Sequence, residues 1–351
     1  MNTLSLMPKE MTGPAAWVGS HMQAATDLWV HHLSPLEIAA LENAARIFLD
    51  TDKDIGEMTA DAFAAPDMHS TLQRLRRALL DQHGFMVLRG LPIDRYDRQT
   101  SAAIFCGIGA HLGAARSQNA LGHVLGHVRD LGANPQDATT RIYQTAARQS
   151  FHTDSADIVG LLCLQTAQSG GDSLLVSAET IFNRMCAECP NLLARLFDPI
   201  ATDRRGEVPP GMAPFMTIPP FSWYDGKLSV FYQRQYIDSA QRFSDAMRLT
   251  EEHVAALDAF DALANDPELH IKMRLEPGDM QFVYNHSQLH DRTGFTDWPN
   301  PARRRHLLRL WISPSQDRAL PECFRQRYGS LTPGQRGGIV TAATRLHAPL
   351  D

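Results

Sequence analysis

The chain has 351 residues, 44% of them hydrophobic and 21% charged, which provides for a sizeable core and excludes global disorder. That length fits one large domain or two of ordinary size. A net charge of −6 argues against a nucleic-acid-coating protein, and no apolar run nears the roughly eighteen residues of a membrane span, so neither nucleic acid nor membrane is expected as a partner.

Residues 1–33 show no period and are broken by Pro8, Gly13, Pro14 and Gly19, so they are read as an arm laid over a body formed by residues 34–351. They also lack a basic region followed by an apolar core, so no secretory signal is expected. Ser34-Pro35-Leu36-Glu37 has the form of a helix start: a capping hydroxyl, a proline at the first helical position and an early acid. Leu36, Ala39, Ala40, Ala44, Ile47 and Phe48 follow at helical spacing. Leu72 to Leu80 predicts a second amphipathic helix, Gly84 to Leu91 a buried strand, and Asp94 to Leu112 a further helix. His123 and His127 stand four apart, but the glycine-containing, alternating stretch between them suits strand or loop, with no glutamate as a zinc-protease helix needs.

Ile158 to Leu164 is almost wholly apolar and predicts a strand covered on both faces. Gly170-Gly171 turns into a strand from Ser173 to Val176, and Ser177 can cap a helix from Ala178 to Cys186. Cys186 and Cys189 close that helical pattern and read as ordinary buried thiols. The five scattered cysteines suit a reducing cytoplasm, where the chain is expected to act. Asp203 to Pro220 is rich in proline, glycine and charge and too long for an ordinary connection. It is expected to be a large surface loop or a functional lid, the lid laying Met212, Phe215 and Met216 on a bound substrate while its charges stay in water. Strands are expected at Ser229–Tyr232, His270–Leu275 and Met280–Tyr284, and a helix at Thr250–Leu263. Helices at the front and short strands behind them make an α+β chain.

The chemistry concentrates in two distant stretches. In Ser150-Phe151-His152-Thr153-Asp154, the imidazole and the carboxylate are two residues apart, so an extended backbone projects both from one face. A third ligand must come from elsewhere. His290 is the candidate and His286 its competitor. Two neutral imidazoles and one carboxylate on one face of a metal form the triad of non-haem Fe(II) oxygenases. Further on, Arg305, Leu307, Arg309 and Trp311 alternate onto one face of a strand, and a guanidinium fork is the natural bidentate partner of a carboxylate.

An isolated His-x-Asp is a weak signal, but its company is specific. Gly84-Phe85-Met86-Val87-Leu88-Arg89-Gly90, His152-Thr153-Asp154, Ser169-Gly170-Gly171-Asp172-Ser173 and Arg305-His306-Leu307-Leu308-Arg309 occur in the order found in the TauD/TfdA (taurine dioxygenase-like) family of Fe(II)- and 2-oxoglutarate-dependent dioxygenases, and over most of its length the chain resembles that family. The resemblance implies a double-stranded β-helix, a jelly-roll relative, with flanking helices. It implies His152, Asp154 and His290 as metal ligands, with His286 structural or supporting them. It places Arg305, 305 − 290 = 15 residues after the distal histidine, on the far carboxylate of 2-oxoglutarate, with the Ser173 hydroxyl assisting, and Arg309 on an anionic substrate. The implied reaction consumes 2-oxoglutarate and O2, releases succinate and CO2, and oxidises a C–H bond of a small molecule such as an amino acid or specialised metabolite, by hydroxylation, desaturation or ring closure.

Tyr143, Asp157, Tyr232 and Arg234 lie near the core motifs and are candidate substrate contacts. A zinc hydrolase on the same ligands, or a cupin-like binding protein without catalysis, remains open at this point. Oligomeric state is not legible.

Overall fold

The computed structural model describes residues 8–119, 121–134, 137, 140–209, 211–339 and 344–351; residues 1–7 of the expected arm and Pro210 of the expected lid lie outside these. Two sheets face each other. The larger runs in spatial order Val30–His32, Phe85–Arg89, Met280–Tyr284, Ile158–Gln165, His306–Ser313 and Ala114–Ala115, with Leu125–Val128 also paired to His306–Ser313. The smaller runs His270–Met273, Ser173–Ser177, Gln288–Arg292 and Gln149–His152.

Period-two alternation decides which residues face where. Met86, Leu88, Leu162, Phe282, Leu308, Leu310 and Ile312 point outward from the larger sheet into a core shared with the helices Pro35–Leu49, His69–Leu80 and Arg98–Leu112. Phe85, Val87, Cys163, Val283 and Leu307 point the other way and meet Leu175, Ile271 and Met273 of the smaller sheet. That double covering explains the unbroken apolar run of Ile158–Gln165. On the smaller sheet's outer face, Phe151, Leu174, Val176 and Leu289 pack against the helices Ala178–Glu188 and Glu251–Ala264. The space between the sheets is therefore the place where inward polar side chains from both can meet.

Local signals act as their chemistry requires. Ser34 and Glu37 form a reciprocal capping box, Thr250 caps Glu251–Ala264, and Ser177 caps Ala178–Glu188. The third helix starts at Arg98 rather than Asp94, because Asp97 accepts from the Thr100 N–H and ends the preceding extended link. The arm is more than a cover: Val30–His32 joins the larger sheet parallel to Phe85–Arg89, and the buried Trp17 donates its indole N–H to the His83 carbonyl at 2.9 Å. The expected strand at Ser229–Tyr232 is instead Lys227–Val230, the return arm of a hairpin with Phe221–Tyr224, whose Asp225-Gly226 turn takes the positive φ that two-residue hairpins favour. The Asp203–Pro220 stretch is also built: Ala201–Asp203 pairs antiparallel with Phe215–Thr217, and the described residues between them form the hairpin tip.

Candidate metal centre and its two cavities

His290 lies directly across from His152 in the antiparallel register of the smaller sheet, and both face inward. Their ring centroids are 4.1 Å apart. Asp154 follows just past the end of its strand, where its N–H donates to the Asn285 side-chain oxygen at 3.2 Å. Each histidine presents Nε2 to the Asp154 carboxylate at 3.9 Å, His152 to Oδ1 and His290 to Oδ2, so three potential donor atoms converge within 4.8 Å.

The surroundings prepare these groups as ligands. Burial lowers the pKa of His152 and holds His290 down at about 3, so both rings are neutral. His152 Nδ1 donates to the Ser150 carbonyl at 2.8 Å, which leaves Nε2 as the ring's lone pair. Burial opposes the Asp154 charge, but Arg309, His290, His152 and Trp311 outweigh it and keep the carboxylate ionised. Arg309 Nη1 at 3.0 Å and Trp311 Nε1 at 2.9 Å both donate to Oδ2.

Two small cavities, each about 40 Å3, meet at this cluster and share Tyr143, Gln149, His152, Asp154 and Arg309. The first runs between the sheets past Leu161, Leu275 and Ser173 to Arg305 and Arg292. Arg305 is almost fully buried, and its Nη1 has no hydrogen-bond partner. Burial brings Arg305 down to about 10 and, together with Arg305 itself, Arg292 to about 9. A buried, incompletely bonded guanidinium at the blind end of a cavity is a seat for a carboxylate. Gly171 makes room for it: a Cβ there would stand 2.9 Å from Arg305 Nε, and its φ of +74° favours glycine. The Ser173 hydroxyl, on the same wall, donates to Gln281 Oε1 at 2.9 Å and keeps its lone pairs. Arg292 went unnoticed in the sequence, although it lies two residues after His290 on a strand and so shares its face.

The second cavity opens on the other side and is lined by Tyr143, Arg141, Arg204, Met216, Tyr236 and Arg327 among others. Of the expected substrate contacts, Tyr143 is there, beneath the Arg309 guanidinium at 4.7 Å from its ring centroid. Arg309 lines both cavities, but its Nε donates to Gln118 at 2.7 Å and its Nη1 to Asp154, so much of its hydrogen-bonding capacity is already engaged.

Three expected contacts line neither cavity. Asp157 is fully buried in a network with His286 Nε2 at 2.7 Å, Ser313 Oγ at 2.8 Å and Arg336 Nε at 2.8 Å. His286 thus serves the scaffold, and in the adjoining Asp157, His286 and Asp317 group Arg336 pairs with both carboxylates. Tyr232 donates its hydroxyl to Asp261 at 2.7 Å and packs on Phe260, in the core on the far side of the smaller sheet. Arg234 is held by Asp238, Asp258 and Asp261. Closeness in sequence to a motif misleads here because these residues lie beyond the strand ends, in a bend, a link and a helix start that point away from the cavities.

Among the described residues, neither His123 nor His127 belongs to a group of metal-ligating side chains. His127 Nδ1 lies 2.8 Å from His306 Nε2, and His123 sits in a bridge with His347. All five cysteines are free thiols. Among the described residues, no helix is long and apolar enough to cross a membrane.

Comparison with known proteins agrees with this geometry. The profile of the family described as "Taurine catabolism dioxygenase TauD, TfdA family" matches residues 51–311. FR-33289 synthase of Streptomyces rubellomurinus is 32% identical over 330 residues, covering 91% of this chain and 94% of that protein. A taurine hydroxylase-like protein of Stachybotrys chartarum is 31% identical over 304 residues, 84% of this chain and 77% of that one. Among solved structures, an asparagine oxygenase with Fe(II), 3-hydroxyasparagine and succinate superposes with a TM-score of 0.64 at 18% identity, covering 81% of this chain and 93% of that one. The chain belongs to the TauD/TfdA family and is an Fe(II)- and 2-oxoglutarate-dependent dioxygenase that uses O2 and acts on a small molecule.

Proposed function

We propose that His152, Asp154 and His290 hold Fe(II), that Arg305 anchors the far carboxylate of 2-oxoglutarate with help from Ser173, and that the second cavity receives the substrate whose C–H bond is hydroxylated. Desaturation or ring closure is the runner-up outcome. The two facing sheets are then the halves of a double-stranded β-helix, with the 203–220 hairpin as its lid. The observation that supports this most is the position of the three donors at the junction of two cavities, one of which ends on a buried guanidinium with an unused N–H. A zinc hydrolase needs no such guanidinium.

The donor set fits iron: two neutral imidazoles and one ionised carboxylate, with room on either side for further ligands. When bound, iron and 2-oxoglutarate would activate O2: one oxygen atom would oxidise 2-oxoglutarate to succinate and CO2, and the other would supply the oxidising power for the C–H bond. The chain's own residues do the positioning. Arg309 and Trp311 pin Asp154 Oδ2, which leaves Oδ1 facing His152 Nε2. The Gln149 amide nitrogen lies 2.8 Å from His152 Nε2 and must turn aside when metal is loaded. Tyr143 and Arg309 stand between the two cavities and hold the substrate side apart from the co-substrate side. The five free thiols support action in a reducing compartment, the cytoplasm.

Anaerobic addition of Fe(II) and then 2-oxoglutarate tests metal, co-substrate and chelation together. A weak visible charge-transfer band is expected only with both present. No band at saturating 2-oxoglutarate would refute the assignment.

A further inference from the structure

The second cavity is lined by more positive charge than a neutral or zwitterionic substrate requires. Arg141, Arg204 and Arg327 all reach it. Among the described residues, Arg204 bonds to neutral carbonyls alone, those of Ala213 at 3.1 Å and Gln326 at 2.7 Å. Arg327, its side chain 9% exposed, contacts the Ser155 hydroxyl. The acid that answers Arg141 and Arg327 is Glu207: it forms an ion pair with Arg141 and stands 3.9 Å from Arg327 Nη2. Asp203 is already engaged by Arg242 at 3.1 Å and Ser239. Among the described residues, three guanidiniums against one carboxylate leave two positive charges in excess on this wall.

Glu207 comes from the hairpin tip. Arg205 and Gly206 both take positive φ, and the Glu207 N–H closes back on the Arg204 carbonyl at 3.1 Å, so the turn aims the carboxylate at the two arginines. It also stands at a boundary. Arg204 and Arg327 line both the inner cavity and a wide outer cleft of about 1060 Å3 beyond the hairpin, and Glu207 lines the outer cleft. The expectation that the hairpin's charges stay in water is thus overturned for Arg204, which is 3% exposed, and its Phe215 packs on Phe243 rather than at the cavity.

We propose that Arg141 and Arg327 form an oxoanion seat for the substrate, that Glu207 fills this seat in the unliganded chain, and that the substrate carries a dianionic phosphoryl-type group, a phosphate ester or phosphonate, which displaces Glu207. A carboxylate has one charge and two acceptor oxygens. A phosphoryl dianion has two charges and three oxygens, enough to engage both guanidinium forks. Displacing Glu207 frees the hairpin tip at the step that admits substrate, so occupancy of the seat and movement of the hairpin are coupled. The position that the family resemblance assigns to an anionic substrate, Arg309, instead bonds to Asp154 and Gln118.

The proposal rests on the reading of the triad as the iron site, and its test separates the two. Methylphosphonate is titrated calorimetrically into the chain loaded anaerobically with Fe(II) and 2-oxoglutarate. Arg141→Gln should weaken binding by at least about tenfold, the loss of one charge-assisted contact. Glu207→Gln should tighten it by about tenfold, because the internal competitor is gone, a gain that simple structural damage does not produce. Acetate should bind more weakly than methylphosphonate in both the native chain and Glu207→Gln. Unchanged or weakened methylphosphonate binding in Glu207→Gln, or unchanged binding in Arg141→Gln, overturns the seat. Acetate binding as well as methylphosphonate overturns the dianion assignment. The charge-transfer band of the native chain, recorded without methylphosphonate, reports separately on the iron reading.

Discussion

Arg305→Ala removes the guanidinium at the blind end of the co-substrate cavity. In the unliganded chain that group is buried with Nη1 unbonded, and burial has brought its pKa down to about 10. It therefore contributes little to folding, and removing it should leave the melting temperature of the metal-free protein unchanged or slightly higher. Binding should respond in the opposite sense. The far carboxylate of 2-oxoglutarate would be left buried without its bidentate partner, a loss of about 2–5 kcal/mol. Arg292 lines the same cavity with its Nε also unbonded, and it can take over part of the contact. The lower half of that range is expected, about 2–3 kcal/mol, or roughly 30- to 150-fold in the dissociation constant. Lysine at 305 should recover only part, because it cannot present two parallel N–H donors. The assay is anaerobic titration of 2-oxoglutarate against the visible band, beside a thermal melt without metal. A shift in affinity below about threefold, or a clear fall in melting temperature with affinity intact, would show that Arg305 is structural.

Asp154→Ala should abolish Fe(II)-dependent turnover while leaving the fold intact by circular dichroism; full activity without added halide or carboxylate would remove Asp154 from the ligand set. Asp157→Asn should cost about 3 kcal/mol of stability by breaking a buried charge network, without changing substrate preference, as read from denaturant unfolding and competition between substrates. A change in preference at unchanged stability would return Asp157 to the substrate site. Residues 203–220 should become more protease-resistant when metal, 2-oxoglutarate and substrate are all present, and shortening the hairpin should uncouple 2-oxoglutarate consumption from product. One succinate per product in the shortened protein would end its role as a lid.

Local chemistry in the sequence determined a good deal of this protein. Ser34, Ser177 and Thr250 start helices because a side-chain oxygen satisfies a nearby backbone N–H. Leu307, Arg309 and Trp311 share the inward face of one strand because side chains alternate, with Arg305 just ahead of it, and His152 and Asp154 stand together because they are two residues apart. Those relations span a few residues, so composition and spacing carry them. Only the tertiary structure decided what lies across a gap in sequence. It set His290 opposite His152, gave His286 to Asp157 and Arg336, and spent Arg309 on Asp154 and Gln118. It also sent Tyr232 to the far side of the smaller sheet and brought Arg141, Glu207 and Arg327 together from three separate segments. Strand register and hairpin placement depend on how two whole sheets bury their apolar faces, and a slip of one residue would turn every side chain of a strand to the opposite face. Charge pairing at the site is therefore a property of the packed sheets, which no single stretch of the chain encodes.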